Sequence, residues 1–377
     1  MLALWERELS LLLAERKLVA VVLLFAATAY AFLIGNLYNG HVVEHIPVVV
    51  CDLDGSAESR AFCREIRTVH TYDVTLVTGK LDEAETALAQ RDAAAVLVIP
   101  ENFAKDLSER RSVQLPFITD GSNSLVQSYS LAPIQELVGA FSAAQTARTA
   151  AADGMPELPV TPVSVSLRVP ENPTGSYAFF YLYGVMLTAA QIGVMLSTAL
   201  SVWGDARKPL FAENGVWKTL LAKQSFYGAA SVLSMLIGLS VLVLVFRMPF
   251  KGSLFVFLPL YAAYAFAAMN LATAFALYFR TELALVQCLV FYALPAFLLS
   301  GYIWPEHGML PMFRWISATF PLHYLLVDFR AVALSGVPFS GLLPDAVALL
   351  AMGVVLLLVN GSVLKKRAAS FGLLPAN

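Results

Sequence analysis

The alternation of apolar and polar blocks constrains this chain more than any single residue. Residues 18–38 form one uninterrupted apolar stretch, a long mainly polar stretch (39–175) follows, and apolar stretches then recur almost to the end. A helix needs about 20 apolar residues to cross a bilayer core. Six stretches reach that length: 18–38, 176–201, 225–246, 253–279, 284–303 and 344–364. Charged residues make up only 14% of the chain, against about 25% in ordinary soluble domains, and 58% of residues are hydrophobic. Such a composition excludes a soluble globular protein. Tyr38, Tyr177, Trp203 and Trp304 stand near span ends, where amphipathic rings anchor at the interface. The expected fold is an α-helical membrane protein with six transmembrane helices and an α/β extracytoplasmic domain inserted after the first span. Its expected divisions are a cytoplasmic amphipathic helix (1–17), the first transmembrane helix (18–38), the extracytoplasmic α/β domain (39–175) and a five-helix transmembrane domain (176–377) with a re-entrant outer segment near 304–340.

Ala27-Thr28-Ala29 has the small residues of a signal-peptide cleavage site. However, Glu6, Glu8 and Glu15 precede it and the apolar run continues to Tyr38, so an uncleaved span is expected. Basic residues near span ends set orientation. Arg7, Arg16, Lys17, Arg207, Lys208, Lys218, Lys223, Arg280, Lys365, Lys366 and Arg367 fall on the side of the termini, and only Arg247, Lys251, Arg314 and Arg330 in the opposing short loops. Both termini are therefore expected in the cytoplasm, with 39–175 outside. The net charge of −2 says nothing of nucleic acid, because most basic residues are needed at membrane edges, and no nucleic-acid partner is expected. Cys51 and Cys63 lie in the outer stretch, where an oxidising compartment permits a disulfide between them; free buried thiols are the alternative.

Residues 2–16 read as an amphipathic helix with Leu2, Trp5, Leu9, Leu12 and Leu13 on its apolar face, lying flat on the inner membrane surface. The outer stretch alternates strands (46–51, 72–77, 93–99, 112–118, 163–169) with helices (56–69, 81–90, 101–110, 124–152), an order that predicts a small mixed-sheet α/β domain. Asp52 and Asp54 head a turn before a helix. Without an EF-hand register after them, a calcium loop is disfavoured. Asn214, as an N-cap, predicts a short amphipathic helix within the 202–224 loop, carrying Trp217, Leu220 and Leu221 parallel to the membrane.

No ionisable residue falls in the middle of an assigned span, which argues against proton-driven transport. No nucleophile–base pair or zinc spacing marks an intramembrane hydrolase. Asn360 and Gln287 read as interhelical hydrogen-bond partners. No G-x-x-x-x-G-K-[ST] occurs, so energy for uphill transport would have to come from another polypeptide. Residues 300–343 are broken by Gly301, Pro305, Pro311 and Pro321 yet stay rich in aromatic and aliphatic residues. They read as short helices turning back at the outer surface, with an ordinary external loop as the alternative.

Several motifs in order resemble one family, the type-two ABC exporter permeases with a large outer domain after the first span. Val48–Asp54 with Ser56, Ser59 and Arg60 resembles its opening V-V-D-x-D-x-S-x-x-S-R. Residues 95–107 (AVLVIPENFAKDL), the turn Asp120-Gly121-Ser122-Asn123-Ser124, the return Glu171-Asn172-Pro173 and 300–324 (SGYIWPEHGMLPMFRWISATFPLHY) are similar to further family segments. Of the family's cytoplasmic E-R-G-T, Glu213 and Gly215 remain and Val216 replaces Thr; Glu171 replaces the Tyr of the return motif. The resemblance implies a permease subunit that forms an export path with a second protomer, identical or not. It also implies coupling to a separate cytoplasmic ABC ATPase that carries ATP and Mg, with no cofactor on this chain. Candidate ATPase-coupling residues are Glu6, Arg7, Glu8, Glu213, Gly215 and Trp217. A periplasmic adaptor is a further implied partner, alongside membrane lipid. The implied location is the bacterial inner membrane and the implied cargo hydrophobic or amphipathic, drug- or lipid-like. Two rivals are a membrane-anchored binding or assembly protein whose outer domain recognises a partner, and a membrane enzyme using His307 or His323.

Overall fold

The computed structural model describes residues 1–37, 45–90, 92–109, 111, 113–119, 124–152 and 177–370. These are mostly helical, with one small mixed sheet. The chain divides into two compact units. One comprises Met1–Asn39, Pro170–Asn172 and Ala178–Asn377; the other comprises Gly40–Val169 and Pro173–Tyr177. The expected strand 163–169, the return motif 171–173 and the turn at 120–123 lie outside the described residues.

The larger unit begins with α1 (Leu2–Ala14) and α2 (Lys17–Leu37). The smaller unit carries β1 (Ile46–Asp52), α3 (Ala57–Ile66), β2 (Tyr72–Thr78), α4 (Leu81–Ala89), β3 (Ala95–Ile99), α5 (Phe103–Ser108), β4 (Phe117–Thr119) and α6 (Ser124–Ala152). Its strands lie in the order β2-β1-β3-β4, with β1 parallel to both neighbours and β4 antiparallel to β3. The crossover from β1 through α3 to β2 runs one way along the sheet and that from β2 through α4 to β3 runs back past β1, so right-handed connections place α3 and α4 on opposite faces. The pleat divides the side chains to match. Val48, Val50, Leu97 and Ile99 pack with Phe62 and Ile66 of α3, and Val49, Cys51, Val96 and Val98 pack with Ala84 of α4.

That pleat also overturns the candidate disulfide. Cys51 and Cys63 are both free and buried, and they belong to hydrophobic clusters on different faces of the sheet. Burial pushes both thiols up, with the charge of Asp52 adding to it, which keeps them protonated and unreactive. The expected strand 112–118 shrinks to the three residues of β4, because Pro116 has no N–H for the ladder and contributes only its carbonyl, to Val98 N at 2.9 Å. Asp52 and Asp54 serve the turn. Asp52 accepts from Gly55 N at 2.9 Å and from Ser59 Oγ at 2.8 Å, Ser56 Oγ caps α3 by accepting from Ser59 N, and Asp54 accepts from Ala104 N. Gly55, at φ +62°, supplies the left-handed residue that this turn requires.

The larger unit continues with α7 (Tyr177–Asp205), α8 (Leu210–Asn214), α9 (Val216–Ser240, extended by a π turn Val241–Val245), α10 (Leu254–Tyr278), α11 (Glu282–Leu298), α12 (Pro311–Ser317), α13 (Pro321–Arg330, extended by a π turn Ala331–Ser335) and α14 (Phe339–Ser370). Among the described residues, 5 helices are long and apolar enough to cross a membrane: Lys17–Leu37, Tyr181–Asp205, Val216–Val245, Leu254–Tyr278 and Phe339–Ser370. The expected span 284–303 is cut to the 17 residues of α11. At 1.5 Å per residue that is about 25 Å, short of a bilayer core of about 30 Å. It stops where the Ser300 hydroxyl donates to Phe297 O and Gly301 turns at φ +81°.

With few charges available, polar amides link the bundle. Gln224 Nε2 donates to Asn270 Oδ1, and Asn360 Nδ2 donates to Asn270 O, both at 2.8 Å, joining α9, α10 and α14. This gives Asn360 the interhelical role expected of it. The predicted break before Trp217 is displaced. Asn214 does not cap a surface helix; Gly215 (φ +81°) makes the turn, and Val216 starts a helix that runs unbroken through the predicted loop and into the span. Positive φ is sterically cheap only for glycine, so Gly215 rather than Asn214 decides where α9 begins.

Alkylation of the denatured protein without reductant is expected to label all 3 cysteines. A linked pair of peptides carrying Cys51 and Cys63 in a non-reduced digest would contradict this arrangement.

Candidate functional site

α1 would be a simple amphipathic helix except for one residue. Its buried positions are Leu4, Glu8 and Leu12, at spacings of four, so a carboxylate stands in the middle of the face that packs inward. Of the residues expected on the apolar face, Leu12 is buried here, and Leu2, Leu9 and Leu13 are not covered by the protein. A buried carboxylate is tolerated only when paired and hydrogen-bonded, and its partner is Lys223, on the second turn of α9. Both side chains are 2% exposed.

Lys223 Nζ has three protons and three acceptors: Glu8 Oε1 at 2.6 Å, Asp205 Oδ2 at 2.5 Å and Ser201 Oγ at 2.6 Å. The second Glu8 oxygen accepts from the Tyr227 hydroxyl at 2.8 Å and from Ser201 Oγ at 2.6 Å. Asp205, the last residue of α7, is gripped by both terminal nitrogens of Arg7 at 2.8 and 2.6 Å, the bidentate geometry that suits a guanidinium. The hydrogen bond to Asp205 pushes the Arg7 pKa up, so its charge is secure. Carboxylates and cations balance, and α1, α7 and α9 each contribute to the cluster.

The energetics of such a cluster are asymmetric. Replacing an entire buried ion network with apolar groups is often neutral, whereas removing one partner costs about 3–5 kcal/mol because the other charge is stranded. The cluster therefore specifies where α1 sits more than it adds net stability. The adjoining cavity, lined by Glu15, Arg16, Gly204 and Lys208 among others, holds about 40 Å³. It suits a water molecule and is far below the roughly 300 Å³ of the smallest usual ligand pockets.

Of the expected coupling residues, the structure brings only Arg7 and Glu8 together. Glu6 and Glu213 are exposed, Gly215 is the turn between α8 and α9, and Trp217 packs elsewhere. Its indole fills the space over Gly361 of α14, where any Cβ would collide with the ring, and Lys365 Nζ lies 5.5 Å from the ring centroid. Sequence reasoning missed Ser201, Asp205, Lys223 and Tyr227, treating Lys223 only as an orienting charge. A signal was present: Ser201/Asp205 and Thr219/Lys223/Tyr227 are polar residues at spacings of four beside Glu8 on its own apolar stripe.

The proline-punctuated segment forms a second polar locus. Pro305 precedes a 3-10 turn (Glu306–Gly308), and Pro311 and Pro321 open α12 and α13 at the first helical position, where the missing N–H costs nothing. After Gly301, Tyr302 is buried against Gly184 of α7, where a Cβ would lie 2.5 Å from its ring. The Arg330 guanidinium stands 5.0 Å from the Tyr302 ring centroid. His323 Nδ1 lies 2.9 Å from Ser317 Oγ, and its Nε2 3.3 Å from Glu306. Among the described residues no group of 3 or more His, Cys, Asp or Glu could hold a metal ion.

Residues 16–361 match the family model described as "ABC-2 family transporter protein". This chain belongs to the ABC-2 transporter family. It is also similar to the "Probable multidrug ABC transporter permease YbhR" of Escherichia coli strain K12, with 22% identity over 285 residues that cover 73% of this chain and 75% of that one. The YbhR of E. coli O157:H7 gives the same figures. The ABC-2 match and the apolar helices make this a multi-pass membrane permease, and the matched range takes in all of α2 to α13 and most of α14.

Lys223→Met is expected to destabilise the purified permease by about 3–5 kcal/mol, since it strands Glu8 and Asp205. Glu8→Gln combined with Lys223→Met is expected to cost less than the two single changes added together. Additive losses in a thermal-unfolding double-mutant cycle would show that the two side chains are not coupled.

Proposed function

We propose that this chain is the membrane subunit of an ATP-binding cassette exporter and that α1, with the α8–α9 turn, is the surface on which a separate cytoplasmic ATPase acts. The observation that carries the reading is the Glu8–Lys223–Asp205 cluster, which makes α1 part of the same rigid packing as α7 and α9. A push on α1 would reach two long apolar helices through ion pairs too costly to break. Exposed Glu6 on α1 and Glu213 beside the Gly215 turn are available for an ATPase to contact.

In this reading both termini are cytoplasmic in a bacterial inner membrane, α11 counts as a short sixth span, and the inserted α/β unit lies outside. Two protomers, identical or different, line the path; ATP and Mg are held by the ATPase, and this chain carries no cofactor of its own. A periplasmic adaptor and membrane lipid complete the partner set. Nucleotide binding would shift the balance between two packings of the bundles, by as much as it binds one better than the other. The multidrug description of YbhR, together with the apolar helices, supports a hydrophobic or amphipathic cargo.

The test is co-purification from native membranes with a vanadate-sensitive ATPase assay. Glu6→Lys with Glu213→Lys is expected to weaken ATPase capture roughly tenfold, about 1.4 kcal/mol, with no change in the permease's unfolding temperature. A preparation with no ATPase subunit and no hydrolysis would instead favour a membrane-anchored binding or assembly protein.

A further inference from the structure

The turn between α1 and α2 carries a cation that the charge cluster leaves over. Arg16 lies between Ala14, the last residue of α1, and Lys17, the first of α2, and α2 is long and apolar enough to cross a membrane. Its guanidinium lines the cavity beside the Glu8–Lys223–Asp205 cluster. Nη1 is buried and has no hydrogen-bond partner among the described residues. Nη2 lies over Gly204 of α7, 3.3 Å from where a Cβ would stand, so the wall beside it carries no side chain. The two buried carboxylates at the cavity are already committed, Glu8 to Lys223 and Arg7, and Asp205 to the same two cations. Glu15 and Lys208, both exposed, complete the charged lining. Arg7, Arg16, Lys208 and Lys223 therefore face Glu8, Glu15 and Asp205, an excess of one positive charge.

We propose that Arg16 receives a phosphate oxygen of an anionic phospholipid, so that a lipid headgroup seats the α1–α2 turn against the end of α7. A cavity of about 40 Å³ has room for a few oxygen-sized atoms and none for a whole molecule. Its ligand must therefore enter by an oxygen and leave its body outside. Water would satisfy Nη1 but leave the charge unanswered. A phosphate does both, and the guanidinium fork is the side-chain group whose geometry matches it. The position selects the source. Lys17 opens an apolar helix, Leu18 and Val21 are exposed directly after it, and the end of such a helix lies at the depth of the lipid headgroups. The excess of positive charge favours a headgroup with net negative charge over a zwitterionic one. The site rests on α2 being a membrane span. It needs neither an ATPase partner nor a given orientation of the termini, so a failure of ATPase capture would leave it standing.

The experiment is thermal unfolding of the full-length protein in non-ionic detergent, titrated with phosphatidylglycerol, phosphatidylcholine or inorganic phosphate. Phosphatidylglycerol is expected to raise the unfolding temperature at lower concentration than either of the others. Arg16→Gln is expected to unfold at the wild-type temperature without added lipid, because it loses no hydrogen bond to the protein. It is expected to need about tenfold more phosphatidylglycerol for the same rise, the loss of one charge-assisted hydrogen bond. Lys17→Gln removes the same charge from the adjacent exposed position and is expected to shift the titration far less. Glu15→Gln, an exposed change that tests the site even if Arg16→Gln fails to fold, is expected to need less phosphatidylglycerol than the wild type. The proposal is overturned if Arg16→Gln responds to phosphatidylglycerol as the wild type does, or if Lys17→Gln matches Arg16→Gln. Equal rises with phosphatidylcholine or with inorganic phosphate overturn the anionic-lipid assignment, and a lower lipid-free unfolding temperature in Glu15→Gln would show that Glu15 is the partner of Arg16 instead.

Discussion

The burial of the Lys223 ammonium is the constraint around which one end of the bundle is arranged. An ammonium removed from water must be surrounded by acceptors, and the three it finds come from three places in the chain: Glu8 in α1, and Ser201 and Asp205 at the end of α7. Meeting that demand turns Glu8 of α1 inward and sets the end of α7 against the second turn of α9. Arg7 then completes the charge balance on Asp205.

Elsewhere in the unit a few amides link the helices. Asn270 of α10 accepts from α9 through its side chain and from α14 through its backbone, so one residue ties three helices. Close approach needs small residues at the contact: Gly361 admits Trp217, and Gly184 admits Tyr302. At the α1 end opposite charges hold α1, α7 and α9 together.

Much of the architecture was legible in the sequence because it rests on periodicity and length. The apolar stretches became long helices and the alternating pattern in 46–99 became β1, β2 and β3, each controlled by local burial. Local chemistry was equally readable at Ser56, which caps α3, and at Pro311 and Pro321, which open helices. Errors arose at one adjacent residue and at groups whose partners are distant in the chain or whose places depend on the sheet. Asn214 looked like a cap, but Gly215 made the turn; Cys51 and Cys63 are close in sequence but fall in clusters on different faces of the sheet; Lys223 looked like an interfacial charge until α1 and α7 supplied its acceptors.

The sequence by itself determined that this chain crosses a membrane several times and carries a mixed α/β unit, since hydrophobic length and the two-residue pleat are properties of neighbouring residues. The tertiary structure decided which charges are used and how. Pairing of Glu8 with Lys223 spans 215 residues and that of Arg7 with Asp205 spans 198, and the free energy of a buried charge is set by the groups around it in space.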